Sequence, residues 1–160
     1  FEDLDDRIER RERRKISEIF RDSGESGFRR AEHAALRELL EELKPGAEKI
    51  VALGGGAFVQ KNNAKLMQAS DVATVYLDAD AAELWRRCRE QARQQGSERP
   101  LLGNAESFRK LYEKRRKHYL KASFRQETGG KTVAEIVAAL VLGLGLDRKA
   151  RSSKARGEKL

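Results

Sequence analysis

Little in this sequence can be cross-linked, metallated through sulfur or buried in a bilayer. The 160 residues contain one cysteine, Cys88. That excludes an internal disulfide and a cysteine-built metal site. No apolar run approaches the roughly 20 residues a membrane span needs. No apolar segment with a small-residue cleavage site marks a secretory leader. These absences predict a cytoplasmic chain without a membrane partner, in a reducing compartment. Aromatic residues make up only 6%, and no known motif interleaves them with basic groups. No nucleic-acid partner is therefore expected, despite a formal net charge of +8. His33 and His118 have no Cys or His neighbour at metal spacing, so no zinc site is expected.

What is present is charge and short apolar patterning. Charged residues (38%) nearly equal apolar ones (39%), which fits one domain with a strongly charged surface; its basic excess either binds small anions or is simply solvated helix faces. Part of the positive excess lies in Arg148–Lys159, which has no apolar periodicity. The expected division is a domain over 1–146 and a basic, disordered tail over 147–160. The chain opens on Phe1 rather than methionine, which predicts a front end upstream.

Short β-rich runs alternate with helical patterns. Helix is expected over 4–14, over 18–22 with Ser17 as cap, and over 25–43, where Phe28, Ala35, Leu36, Leu39, Leu40 and Leu43 recur at helical spacing. Pro45 and Gly46 end that helix. Strands are expected over 49–53, 72–77 and 123–127, and helices over 62–69, 81–94, 106–122 and 133–144. Asp80 with Glu83, and Thr132 with Glu135, have capping-box spacing. Such alternation means α/β units around a parallel sheet, with ligands at the C-terminal strand ends.

Five clusters carry candidate chemistry, and each has a plain structural alternative. Asp3 and Asp5 set two carboxylates at a strand end, able to hold a metal through water or accept a proton; they equally suit a helix N-terminus. Arg29 and Glu32 lie three apart on a helix, so they form either a braced carboxylate fork or an ordinary ion pair. Gly54-Gly55-Gly56 after a strand lets backbone N–H groups approach a ligand, or simply makes a turn. Arg99, in Arg99-Pro100-Leu101-Leu102, is either a lid arginine or a loop residue. Arg115-Arg116-Lys117-His118-Tyr119 is an anion-facing cluster or a solvated face. Gly130-Lys131-Thr132 imitates the end of a phosphate-binding loop, but Arg125 stands where that pattern needs glycine. Trp85 reads as core, and Cys88 lacks a base to make it a nucleophile.

The order of these signals is more specific than any one of them. Phe-x-Asp-x-Asp, Ile-Ser-Glu-Ile-Phe, Gly-Phe-Arg-Arg-x-Glu, Leu-Gly-Gly-Gly-Ala, Tyr-Leu-Asp-Ala, Arg-Pro-Leu-Leu and Arg-x-x-x-Tyr follow one another over residues 1–144. In this the chain resembles the shikimate kinases. The resemblance implies a three-layer α/β/α fold with a central parallel sheet, of the P-loop kinase type. The family's first strand and its Gly-x-x-x-x-Gly-Lys-Ser/Thr loop are not in the sequence, so an N-terminally truncated version is expected, with ATP turnover needing that loop.

The resemblance further implies ATP-dependent phosphorylation of the shikimate 3-hydroxyl, with shikimate and ATP as partners, Mg²⁺ as metal and a monomeric chain. It implies that Asp3 sits near the metal and Asp5 binds substrate hydroxyls and orients or deprotonates the nucleophile. Arg29 and Arg115 would clamp the shikimate carboxylate, with Glu32 steadying Arg29. Gly54, Gly55 and Gly56 would lend backbone N–H groups, and Phe20 and Phe28 would wall the pocket. Arg99 would reach the ATP phosphates from a lid over about 95–104, and Lys131 would lie by the adenine. Lys117-His118 replaces the family's usual Pro-Leu before Tyr119, and the tail has no counterpart. Two other readings share this pattern: a non-catalytic ligand-sensing module of a regulator, and a related sugar-acid kinase, against which the two arginines and three glycines argue.

Overall fold

Asp3 ends the first strand and starts the first helix. Strand β1 (Glu2–Asp3) runs directly into α1 (Leu4–Glu12), and the Asp3 side chain caps that helix by accepting the Asp5 N–H at 2.8 Å. The computed structural model describes residues 1–43, 49–95 and 104–146. After α1 come α2 (Ile16–Glu42), β2 (Val51–Ala52), α3 (Lys61–Ala69), β3 (Val75–Asp78), α4 (Ala81–Gln95), α5 (Ala105–Tyr119), β4 (Phe124–Glu127) and α6 (Val133–Gly143). The chain divides into two units, Phe1–Ala73 and Thr74–Leu160.

In the first unit β1 and β2 pair in parallel, Glu2 opposite Val51 and Asp3 opposite Ala52. Parallel pairing demands a crossover, which α1 and α2 provide. Leu4 and Ile8, four apart on α1, are buried together with Ile19, Phe28, Ala31, Ala35 and Leu36 of α2, Ala57, and Met67 of α3. Each large apolar side chain buried there contributes about 1.5–3 kcal/mol. Arg7–Glu42 and Arg11–Glu38 pairs bridge α1 and α2 at the surface, where such pairs are worth about 0–1 kcal/mol. Apolar burial therefore dominates this contact.

In the second unit β3 and β4 are parallel, from Val75 opposite Phe124 to Asp78 opposite Glu127. Trp85 of α4 packs on Phe108 of α5, ring centroids 5.3 Å apart, but it is partly exposed rather than in the core expected of it. The Thr132–Glu135 capping box forms at the start of α6. Asp80 accepts the Glu83 N–H at 2.8 Å, but Glu83 turns to Arg86 and Arg87 rather than back to the cap. The helix-rich α/β class with parallel strands is as expected; the described strands form two pairs, β1–β2 and β3–β4.

Two further details differ from the sequence pattern. Ser17 does not cap a short helix, because α2 starts at Ile16. Carboxylates satisfy its first N–H groups instead: Glu18 accepts from Lys15 at 2.8 Å and Glu9 from Ile16 at 3.0 Å. An anionic acceptor also gains from the helix dipole, which a hydroxyl does not. The two helices expected over 18–22 and 25–43 are joined across a kink at Gly24, with φ 63° and ψ −172°. The expected stop at Pro45-Gly46, the lid segment 96–103 with Arg99, and the tail 147–160 lie outside the described residues.

A β-carbon at Gly24 would meet nothing within 4 Å, so its cost is backbone strain alone. Gly24→Ala is expected to lower stability by about 1–3 kcal/mol. Urea unfolding checks this: the midpoint should fall with the slope unchanged.

Candidate active site

The parallel pairing of β1 and β2 brings their C-terminal ends to the same side, and the chemistry of the first unit collects there. Asp5 stands in the first turn of α1, two residues past β1. Gly54 stands two residues past β2. A β-carbon on Gly54 would lie 3.0 Å from Asp5 Oδ1, so the turn backbone rests close against this carboxylate. The Asp5 carboxyl is pushed above the ordinary carboxylate range. Burial is the main cause, the charges of Asp3, Asp6 and Glu9 add to it, and Arg29 opposes it.

Arg29 approaches from α2. Its Nη1 donates to both carboxylate oxygens of Glu32, each at 3.0 Å, and its Nη2 donates to Glu25 at 3.3 Å. Glu32 is 1% exposed. The expected Arg29–Glu32 pair is formed, with its carboxylate buried. Its Nε is buried and has no acceptor among the described residues, which marks a donor set short of one partner. Gly56 lies flat against it: a β-carbon there would stand 2.7 Å from Arg29 Nη2 and 2.8 Å from Cζ, with Nη1 closer still. Phe28, 6% exposed, places its ring 5.1 Å from the Arg29 guanidinium carbon. Phe20, 40% exposed, stacks on Phe28 at 4.6 Å.

The first unit therefore brings Asp5, Arg29, Glu32, Gly54 and Gly56 together, with Phe20 and Phe28 alongside. Asp3 is adjacent, one oxygen engaged by the Asp5 N–H. The turn is built by successive hydrogen bonds from Ala57 N to Gly54 O, Val59 N to Gly56 O and Gln60 N to Ala57 O. It leads directly into α3. There Asn63, 1% exposed, meets His33 of α2. That contact had no sequence signal beyond a polar residue at a core position.

The second unit carries Arg115 and Lys131. Burial pushes the Tyr119 phenol up, and the Arg115 guanidinium beside it opposes that rise. The Tyr119 ring lies 5.3 Å from Tyr76. The Asp78 carboxylate accepts three hydrogen bonds: from the neighbouring Arg116 at 3.2 Å, from Arg125 at 2.7 Å and from the Tyr76 hydroxyl at 2.7 Å. Burial alone would raise the Asp78 carboxyl; the bonds from Tyr76 and Arg125 and the charges of Arg116 and Arg125 hold it below the usual range. Thr128 binds the Asp78 carbonyl through its N–H at 2.8 Å and its hydroxyl at 3.0 Å, and Lys131 follows at the exposed end of that turn. The Tyr-Leu-Asp-Ala motif was legible as a string; the role of Asp78 was not, because its arginines are 38 and 47 residues away.

Known proteins with this pattern are consistent with one another. The family described as "Shikimate kinase" matches residues 1–144. Shikimate kinase of Persephonella marina is 34% identical over 138 residues, 86% of this chain and 78% of that protein. The crystal structure of shikimate kinase from Aquifex aeolicus superposes with a TM-score of 0.73 at 30% identity, covering 92% of this chain and 82% of that one. Shikimate kinase from Acinetobacter baumannii in complex with shikimate gives a TM-score of 0.70 at 31% identity, over 93% and 79%.

The raised Asp5 carboxyl has a stability consequence. A group with a raised folded-state pKa favours the fold fully below its unfolded value, and that contribution is lost as pH rises through the folded value. Asp5→Asn mimics the protonated form. The variant should match the parent in acid and become more heat-stable than the parent as pH rises through Asp5's raised titration. Melting temperatures of both proteins between pH 3 and 8 check this; a gain confined to the acid end would contradict the assignment.

Proposed function

The chain belongs to the shikimate kinase family, and on that premise we propose that its first unit holds shikimate through Asp5, Arg29 and the Gly54–Gly56 turn. The activity is ATP-dependent phosphorylation of the shikimate 3-hydroxyl, a step toward aromatic amino acids. One observation carries the site reading. The glycine turn stands bare against both a burial-shifted carboxylate and a guanidinium whose buried Nε lacks an acceptor among the described residues.

Phosphoryl transfer asks for placement and for charge compensation more than for covalent work by the protein. Arg29, braced by Glu32, supplies a fixed fork for the shikimate carboxylate. The turn offers backbone N–H groups, since no side chain at 54–56 obstructs them. Phe20 and Phe28 form an apolar wall for the ring. Asp5 accepts the hydrogen of the reacting hydroxyl, directs its oxygen toward the γ-phosphorus and takes its proton as the new O–P bond forms and the bond from that phosphorus to the departing ADP breaks. Its raised pKa makes it a better base than an ordinary carboxylate. Arg115 serves as a second carboxylate ligand, Arg99 as a phosphate ligand and Lys131 as a neighbour of the nucleotide base. Support for these three is their motif position.

Mg²⁺ fits the donor set. Among the described residues no three His, Cys, Asp or Glu side chains form a metal cage. Mg²⁺ bound by one or two carboxylates, water and phosphates needs none. Asp3, with one oxygen on the Asp5 N–H, would hold it through the other. When bound, the ion neutralises phosphate charge. We assign residues 1–146 to one kinase domain acting in the cytoplasm as a monomer. Among the described residues no helix is long and apolar enough to cross a membrane.

Steady-state kinetics of the intact enzyme test these roles. Arg29→Ala removes a charge-assisted contact worth about 1.5–3 kcal/mol, so the KM for shikimate should rise roughly ten- to hundredfold with the KM for ATP little changed. Asp5→Asn should cut kcat far more than it weakens ATP binding. Equal loss of both would contradict its role as base.

A further inference from the structure

Asn63 is an expensive residue in its place. It lies in the first turn of α3 at 1% exposure. Its Oδ1 is 2.7 Å from Nδ1 of His33 on α2, so the ring N–H donates to the amide oxygen. Its Nδ2 is buried without an acceptor among the described residues. A buried amide with one unpaired donor loses about as much as a single hydrogen bond returns. Leucine, of similar size, would carry no such penalty beside Met67, one turn along the same face of α3.

What the pair supplies is direction. Phe28, Ala31 and Ala35 of α2, Ala57 of the turn and Met67 of α3 belong to one buried apolar cluster. Apolar packing is non-directional, so it fixes separation better than it fixes sliding register. The His33–Asn63 bond fixes register at two useful points. His33 lies one helical turn beyond Arg29, and Asn63 lies seven residues beyond Gly56. The intervening chain is tied by the turn bonds 57→54, 59→56 and 60→57 and by Ala64 N to Gln60 O. A slide of α3 along α2 would therefore reach Gly56, which stands directly against Arg29.

We infer that Asn63 and His33 are positioning residues that set the register of the Gly54–Gly56 turn against the Arg29–Glu32 pair, and through it the affinity for shikimate. This rests on the reading of that turn and Arg29 as the shikimate site.

The test is Asn63→Leu in the intact enzyme, with kinetics for both substrates and thermal unfolding measured together. The melting temperature should hold or rise, while the shikimate KM rises about fivefold, the equivalent of one hydrogen bond; kcat and the ATP KM should stay within about twofold. An unchanged shikimate KM overturns the inference, whatever the melting temperature does. His33→Leu removes the same bond from the other side. The double variant should raise the KM no further than either single one; additive effects would overturn the inference. Arg29→Ala separates the two levels. If it leaves shikimate binding intact, the site reading itself fails. If it weakens binding while both leucine variants do not, only the positioning role fails.

Discussion

A buried carboxylate decides where the first unit can hold positive charge. Glu32 accepts both Nη1 hydrogen bonds from Arg29 while almost wholly removed from solvent. Removing one partner of such a pair commonly costs about 3–5 kcal/mol, because the other is left buried and uncompensated. The guanidinium thus has one place to be. The glycine turn is shaped around that place, the Phe28 ring packs beneath it, and Asp5 feels its charge from the other side of the turn. The site is built by one ion pair and by backbone that makes room for it.

The second unit repeats this logic with different parts. Asp78, at the end of β3, draws Arg116 from α5 and Arg125 from β4, while its backbone carbonyl anchors Thr128 beyond β4. In a chain with a net charge of +8, a buried acid is the scarce component that fixes where arginines settle. Arginines without such a partner remain mobile point charges at the surface, where water and salt screen them.

The elements of the fold were legible because their periodicity is local. The helix spacing from Phe28 to Leu43 and the Thr132–Glu135 cap can be read within a dozen residues. The Arg29–Glu32 pair was legible for the same reason. What the sequence could not show depends on partners far apart in the chain. Ser17 looked like a cap until Glu9, from the preceding helix, answered the Ile16 N–H. Asp78 and its two arginines, and Asn63 with His33 thirty residues away, are joined only by the folded backbone. The family motifs located Asp5, Arg29 and Gly54–Gly56 as strings; the structure adds that in the first unit they are neighbours.

Two glycines of the first unit are required for different reasons, and the difference bears on how relatives diverge. Gly24 answers to its own backbone, whose dihedral angles strain a residue of ordinary handedness in any surroundings. Gly56 answers to a neighbour, the guanidinium lying across it. The first requirement is unconditional. The second lapses if position 29 carries a shorter side chain, so among diverged homologues that have abandoned the anion fork, positions 29 and 56 are free to change, and should change as a pair.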